Sequence, residues 1–234
     1  MGKIQIFADG ADLEGIRYWA GNPIIRGFTT NPSLMRQANV TNYEDFARQL
    51  LLLVPDRPVS FEVLVDDFEN MERQARRIAS WGPHVYVKIP ITNSQGLSSA
   101  ELIRKLSRGC GIKVNVTAIT TKNQVERAAL ALCGGAPSFL SIFAGRIADT
   151  GIDPVPTIEW AVEHTRSLAA LHVIWASSRE LLNIREAEDA GCDIITLPCA
   201  LLQKLAWLGR GLERVSLDTV KQFAEDAKQS GLSF

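Results

Sequence analysis

The sequence is short of several things. Its three histidines (His84, His164 and His172) are scattered along 234 residues, so a zinc site is not expected. Its four cysteines (Cys110, Cys133, Cys192 and Cys199) form no CxxC pair and no scaffold spacing. They read as the reduced thiols of a cytoplasmic protein. Neither sign of charge is in excess: 25 basic and 26 acidic side chains leave a net charge of -1. Without surplus positive charge to neutralise phosphates, a nucleic-acid partner is not expected. No apolar run approaches the roughly 20 residues of a membrane span. The opening MGKIQIFADGAD runs straight into a strand-like segment without a signal-peptide profile.

What is present is a globular composition, 46% hydrophobic and 22% charged, with a regular alternation. Short apolar runs occupy residues 4–8, 24–28, 59–65, 84–89, 112–117, 138–143, 172–176 and 194–197. Several are apolar at consecutive positions, as in Val63-Leu64-Val65 and Val85-Tyr86-Val87. Such runs predict strands buried on both faces of a parallel sheet. Amphipathic stretches over 42–53, 68–81, 98–106, 122–132, 157–169 and 180–190 predict the intervening helices. Eight β-then-α units in about 220 residues predict an α/β fold, a single (β/α)8 TIM barrel. A doubly wound open sheet is the alternative, and strand count favours the barrel. No Pro/Gly/Ser-rich linker divides the chain, so residues 1–234 read as one domain. Residues 201–208 read as the eighth barrel helix, and Gly209-Arg210-Gly211 breaks it. An amphipathic helix over 217–227, inside a C-terminal extension covering 212–234, is then one more than a barrel needs.

Charges at strand ends call for an explanation, since a covered barrel strand tolerates them mainly at the C-terminal mouth. Lys88 ends the run Val85-Tyr86-Val87-Lys88. A buried ammonium is costly unless it is paired or gives up its proton. An amine freed in this way attacks a ketone to form a Schiff base; the other outcome is an ion pair with Glu62. A carboxyl group such as Glu62 can move the protons of iminium formation, or simply be that partner. Asp9 closes the first strand, as a catalytic base or, like Asp12, as a helix cap.

Arg146, after the sixth strand, has the fork geometry for a phosphate, or is an ordinary surface residue. Ser177 and Glu180 have capping-box spacing, and a helix start is also an anion site. Arg179 in that first turn opposes the helix dipole, a mismatch that a bound anion offsets. Thr30-Asn31-Pro32-Ser33 reads as a turn, with Asn31 able to meet a substrate hydroxyl.

Taken together, five ordered segments resemble the transaldolase family of the small-subunit type, which includes the fructose-6-phosphate aldolases. Thr29-Thr30-Asn31-Pro32-Ser33 resembles its T-T-N-P-S signature, and Lys88-Ile89-Pro90 with Thr92 its Schiff-base segment. Ile112 to Thr117 resembles I-x-x-N-x-T, Phe143-Ala144-Gly145-Arg146-Ile147 its phosphate loop, and Ala176-Ser177-Ser178-Arg179 its A-S-F-R. The resemblance implies Lys88 as Schiff-base lysine, Asp9 as base at the C4 hydroxyl, and Glu62 and Thr117 as proton carriers. It implies Thr30, Asn31, Asn115, Ser141 and Phe143 as substrate-binding residues, with Arg146, Ser177 and Arg179 holding a phosphate. Sugar-phosphate substrates, no cofactor or metal, and a homo-oligomer (pentamer or decamer) also follow from it. Glu62, Phe143, Asn115 and Thr117 resemble the true transaldolases rather than the aldolases that release free dihydroxyacetone. Ser178 and Trp175 depart from the family pattern beside the anion site, which leaves the substrate tail open to a sulfonated or otherwise modified sugar. A non-catalytic sugar-phosphate-binding barrel is the remaining rival.

Overall fold

The computed structural model describes residues 4–168 and 170–231. The expected helix end at Ala169, and the chain ends at 1–3 and 232–234, lie outside the described residues. Eight strands form a closed parallel barrel in chain order: β1 (Gln5–Asp9), β2 (Ile25–Thr29), β3 (Val59–Glu62), β4 (Val85–Pro90), β5 (Val114–Ile119), β6 (Ser138–Phe143), β7 (Leu171–Ala176) and β8 (Ile194–Pro198). The closing pair is β1 with β8, in register from Gln5↔Ile194 to Asp9↔Pro198. The expected TIM barrel is therefore observed, and the open sheet is excluded.

Strand residues alternate between the barrel interior and the helix layer. Phe7, Phe139, Ile174, Ala176 and Ile194 form one buried cluster, with Tyr86 and Phe143 packed against it. The Phe7 and Phe139 rings meet edge-on at 5.9 Å, and Tyr86 stacks on Phe139 at 3.9 Å. Burying each such ring contributes about 1.5–3 kcal/mol. Gly27 answers to this filling, because a Cβ there would lie 2.6 Å from the Phe7 ring. Two positions further along the same strands come Asp9, Thr29, Lys88, Ser141 and Thr196. Period-2 geometry thus stacks a polar layer at the mouth on an aromatic floor.

Five of the helices begin on a side-chain cap. Asp12, Asn31, Asn42, Asp67 and Thr121 each accept a backbone N–H from the first turn. The first-helix cap is therefore Asp12, and Asp9 stays free for the mouth. Three expectations are corrected. Strand β3 ends at Glu62 rather than running through 65; the Leu64 amide donates to Gln74 Oε1 at 2.7 Å instead of to a strand. The capping box at Ser177 does not form. Ser177 has φ +63°, the helix begins at Leu182, and Asn183 Oδ1 accepts the amides of Arg179 and Glu180. Arg179 thus lies before the helix rather than in its first turn. Finally, residues 201–208 are not one helix: Cys199–Leu202 makes a single turn and Leu205–Trp207 a 3-10 turn. An extended Leu208 and a positive-φ Gly209 end that segment; apolar spacing does not record either.

The chain divides into two compact units, one ending at Leu202 and one starting at Gln203. The second holds the helix Leu212–Ser230, closed by Gly231 in the left-handed conformation, where glycine is favoured. Among the described residues no helix is long and apolar enough to cross a membrane.

Candidate active site

Barrel register brings the strand-end charges together. Glu62 and Lys88 are direct neighbours across β3 and β4, and Lys88 Nζ stands 3.0 Å from Glu62 Oε2. The ammonium also donates to the Thr30 carbonyl at 2.9 Å. Only 5% of Lys88 is exposed, so of the two outcomes open to this residue the structure has the ion pair. Removing either partner of so buried a pair leaves an uncompensated polar group.

Asp9 and Thr29 are neighbours across β1 and β2. Thr29 Oγ1 donates to Asp9 Oδ1 at 2.7 Å and lies 2.6 Å from Thr196 Oγ1. Burial pushes the Asp9 carboxyl above the usual carboxylate range, against the opposing pull of the Lys88 charge and the Thr29 hydrogen bond. In the same layer Ser141 Oγ donates to Asn115 Oδ1 at 2.7 Å, and Asn115 Nδ2 donates to Ser60 Oγ at 3.0 Å. The Thr117 hydroxyl is buried and has no hydrogen-bond partner among the described residues.

One cavity of about 550 Å³ opens onto this layer. Of the expected site residues, Asp9, Asn31, Glu62, Lys88, Thr117, Ser141, Phe143, Arg146, Ser177 and Arg179 line it. Thr30 and Asn115 are not among its lining residues. Both are buried; Thr30 Oγ1 donates to the Ser60 carbonyl, and the Asn115 amide bonds the Ser60 and Ser141 hydroxyls. Asn31 lines the cavity, but its Oδ1 is committed to the Leu34 amide at 3.0 Å, which leaves only its Nδ2–H2 as donor. Two non-glycine residues with positive φ, Ala118 (φ +60°) and Ser177 (φ +63°), also line this cavity. Each such conformation costs about 1–3 kcal/mol, and they collect at functional sites. Gly145 lets the loops after β6 and β7 meet, because a Cβ there would lie 1.8 Å from the Ser177 carbonyl oxygen.

The polar end of this closed barrel thus holds a paired lysine and a second carboxylate in one cavity. The model of the family Transaldolase/Fructose-6-phosphate aldolase matches residues 6–234. The chain belongs to this family. A probable transaldolase of Dehalococcoides mccartyi is 36% identical over 203 residues, covering 86% of this chain and 90% of that protein. One from Thermoanaerobacter is 33% identical over 233 residues, covering 98% and 99%. Solved structures show the fold alone. Citrate synthase SbnG aligns with TM-score 0.59 at 12% identity, over 98% of this chain and 96% of that one. KGPDC from Streptococcus mutans aligns with TM-score 0.56 at 11% identity, over 85% and 88%.

Within this transaldolase-type chain, several groups at the site were not singled out by sequence reading. Thr196 completes the chain to Asp9. Tyr43 Oη donates to the Glu62 carbonyl at 2.8 Å, wedged between Phe61 and Trp81. Asp149 Oδ2 accepts from Arg179 Nη2 at 2.6 Å. Thr29 belongs to the Thr29-Thr30-Asn31-Pro32-Ser33 segment, but nothing local marks its partner. Thr29 and Thr196 are 167 positions apart, and only barrel closure joins them.

Proposed function

We propose that the protein is a transaldolase that works through a Schiff base on Lys88. It moves a dihydroxyacetone unit from a ketose phosphate to an aldose phosphate. One observation carries the reading: a buried primary amine 3.0 Å from the Glu62 carboxylate shares a cavity with a second carboxylate, Asp9. A lysine placed to be structural alone has no need of a second acid and an open cavity of sugar-phosphate size.

In this reading Glu62 takes a proton from the Lys88 ammonium, and the freed lone pair adds to the ketose C2 carbonyl. Glu62 returns the proton to the carbinolamine oxygen, which leaves as water and gives the iminium. Thr117, which lines the same cavity, carries protons with Glu62 in this reading. Asp9 then removes the C4 hydroxyl proton. The O–H electrons form the aldehyde, the C3–C4 bond breaks, and its electron pair runs into the iminium to give an enamine. A carboxylate held above the usual range is a stronger base, which suits this step. The enamine carbon next attacks a second aldehyde, Asp9 returns its proton to the new hydroxyl, and hydrolysis frees Lys88. Arg146 and Arg179 hold the phosphate.

Transfer is favoured over release of free dihydroxyacetone because release requires a proton on the enamine carbon. Phe143 lines the cavity and carries no hydroxyl to supply one. Supplying a ketose phosphate with no acceptor tests this. Aldehyde release stopping at one equivalent per site, and resuming when an aldose phosphate is added, supports the transferase. Continuous release supports the aldolase, and no release contradicts both. The proposal extends to a cytoplasmic homo-oligomer of five or ten copies. Exposed Leu217, Val220 and Phe223, spaced three apart on the C-terminal helix, support it; a monomeric mass in sedimentation would count against it.

A further inference from the structure

Two guanidiniums, Arg146 and Arg179, line the cavity, and the second is paired with a carboxylate that the mechanism does not use. Asp149 follows the helix Ala144–Ala148, which carries Arg146, and its Oδ2 accepts from Arg179 Nη2 at 2.6 Å. Arg146 and Arg179 line the cavity and Asp149 does not, so the carboxylate sits on the flank of Arg179. Gly145 leaves room for this guanidinium, because a Cβ there would lie 2.9 Å from Arg179 Nε. Arginine has five N–H donors; with one committed to Asp149, the rest stay available to a ligand.

As a stabilising interaction this pair counts for little, since both side chains are about half exposed (48% and 47%). Its consequence lies in the charge that a ligand meets. Two guanidiniums and one carboxylate leave this end of the cavity with one net positive charge. A phosphate ester carries close to two negative charges above its second pKa of about 6. A sulfate ester or sulfonate of the same shape carries one. The phosphate therefore forgoes part of its expected electrostatic advantage.

We propose that Asp149 is a specificity-determining residue that sets the charge preference of the anion subsite. By neutralising Arg179 in part, it matches the subsite to a singly charged tail and lets such tails compete with phosphate. This rests on the proposed reading of Arg146 and Arg179 as the tail-binding pair. Positioning and charge separate cleanly here. Loosening Arg179 weakens every anionic tail alike, whereas removing the carboxylate charge favours a dianion over a monoanion.

Glycerol 3-phosphate and glycerol 3-sulfate make the comparison, because they share a shape and differ by one charge. Dissociation constants at pH 8 would be measured by calorimetry for the native protein, Asp149→Asn and Asp149→Glu. In the native protein the two ligands should bind within about threefold of one another. Asp149→Asn should shift the ratio toward the phosphate by ~10-fold, one unit charge acting across a guanidinium near the surface, and Asp149→Glu should restore it. An unchanged ratio in Asp149→Asn overturns the proposal. So does equal weakening of both ligands, which would make Asp149 a positioning residue only. Arg146→Ala and Arg179→Ala report on the underlying reading. If neither weakens either ligand, the tail is not held there and the reading of the subsite fails first.

Discussion

Phe7 and Asp9 lie on one strand, two residues apart, on the same face of it, yet their surroundings are opposites. Around Phe7 the barrel is filled with rings: Phe139 edge-on, Tyr86 stacked beyond it, and a glycine where a methyl group would not fit. Around Asp9 there are hydroxyls, an ion pair, two positive-φ residues and a cavity. The floor satisfies every rule of a well-packed core. The mouth breaks several of them, with a buried charge, a carboxyl held above its usual range, a Thr117 hydroxyl with no partner among the described residues and backbone strain. Proteins accept such departures where chemistry is done. If this division holds, changes at the mouth remove chemistry and spare the fold, and changes at the floor do the reverse.

The largest effect tests the mouth. Lys88→Met should lower kcat/KM for sugar transfer by ~10³-fold or more, with a circular dichroism spectrum like that of the native protein. Residual transfer within tenfold of native would break the division. Asp9→Asn should lower kcat by about 10²–10⁴-fold and raise Tm at pH 7. The sign follows from the raised pKa. The folded state binds the Asp9 proton more readily than the unfolded state, whose value is near 3.8. Stability is therefore lost as pH climbs from there through the folded value. The asparagine variant lacks this loss. Its Tm gain, about 2–4 °C for each kcal/mol relieved, should appear at neutral pH and vanish near pH 3.5. A Tm drop at pH 7 would mean that the Lys88 attraction outweighs burial.

At the floor, Phe139→Ala should destabilise by about 3–5 kcal/mol, read by urea denaturation, while the folded fraction keeps a kcat within a few-fold of native. Tyr43→Phe lies between the regions. It removes only the hydrogen bond to the Glu62 carbonyl and should cost about 0.5–1.5 kcal/mol with a several-fold fall in kcat. The smallest effect belongs to His172→Gln, near the start of β7. His172 Nδ1 is 3.3 Å from Asp193 Oδ1. That hydrogen bond holds the imidazole above its usual pKa. Asp193, although penalised by its burial, is held below its usual range by its hydrogen bonds to His172 and Val173. The pair's contribution is therefore full below the unfolded histidine value near 6.5 and fades as pH rises through the folded one; at the acid end it fades as Asp193 protonates. With both groups more than 40% exposed, the native-minus-variant difference should be under about 1 kcal/mol at pH 6 and smaller at pH 9.

The same division governs what could be read in the sequence. All eight strands were legible, because burial on both faces writes consecutive apolar residues into the chain. Lys88, Glu62 and Asp9 were legible as charges where such strands should have none. The missing pieces are those that local pattern does not hold. The eighth helix shrinks to single turns although its apolar spacing is helical. Ser177 has capping-box spacing but adopts a left-handed conformation against Gly145. Thr196, Tyr43 and Asp149 act through partners on other strands and loops, and their neighbours in sequence do not announce it. Thr30 and Asn115 belong to legible motifs, but their bonds to Ser60 and Ser141 come from other strands and no local pattern records them.

Borohydride reduction in the presence of a ketose phosphate, followed by peptide mass analysis, traps a Schiff base on Lys88 if one forms. One reduced three-carbon adduct is expected, on Lys88, absent from Lys88→Met and from samples reduced without sugar. Unmodified protein, or an adduct on any other lysine, would rule out the Lys88 Schiff base.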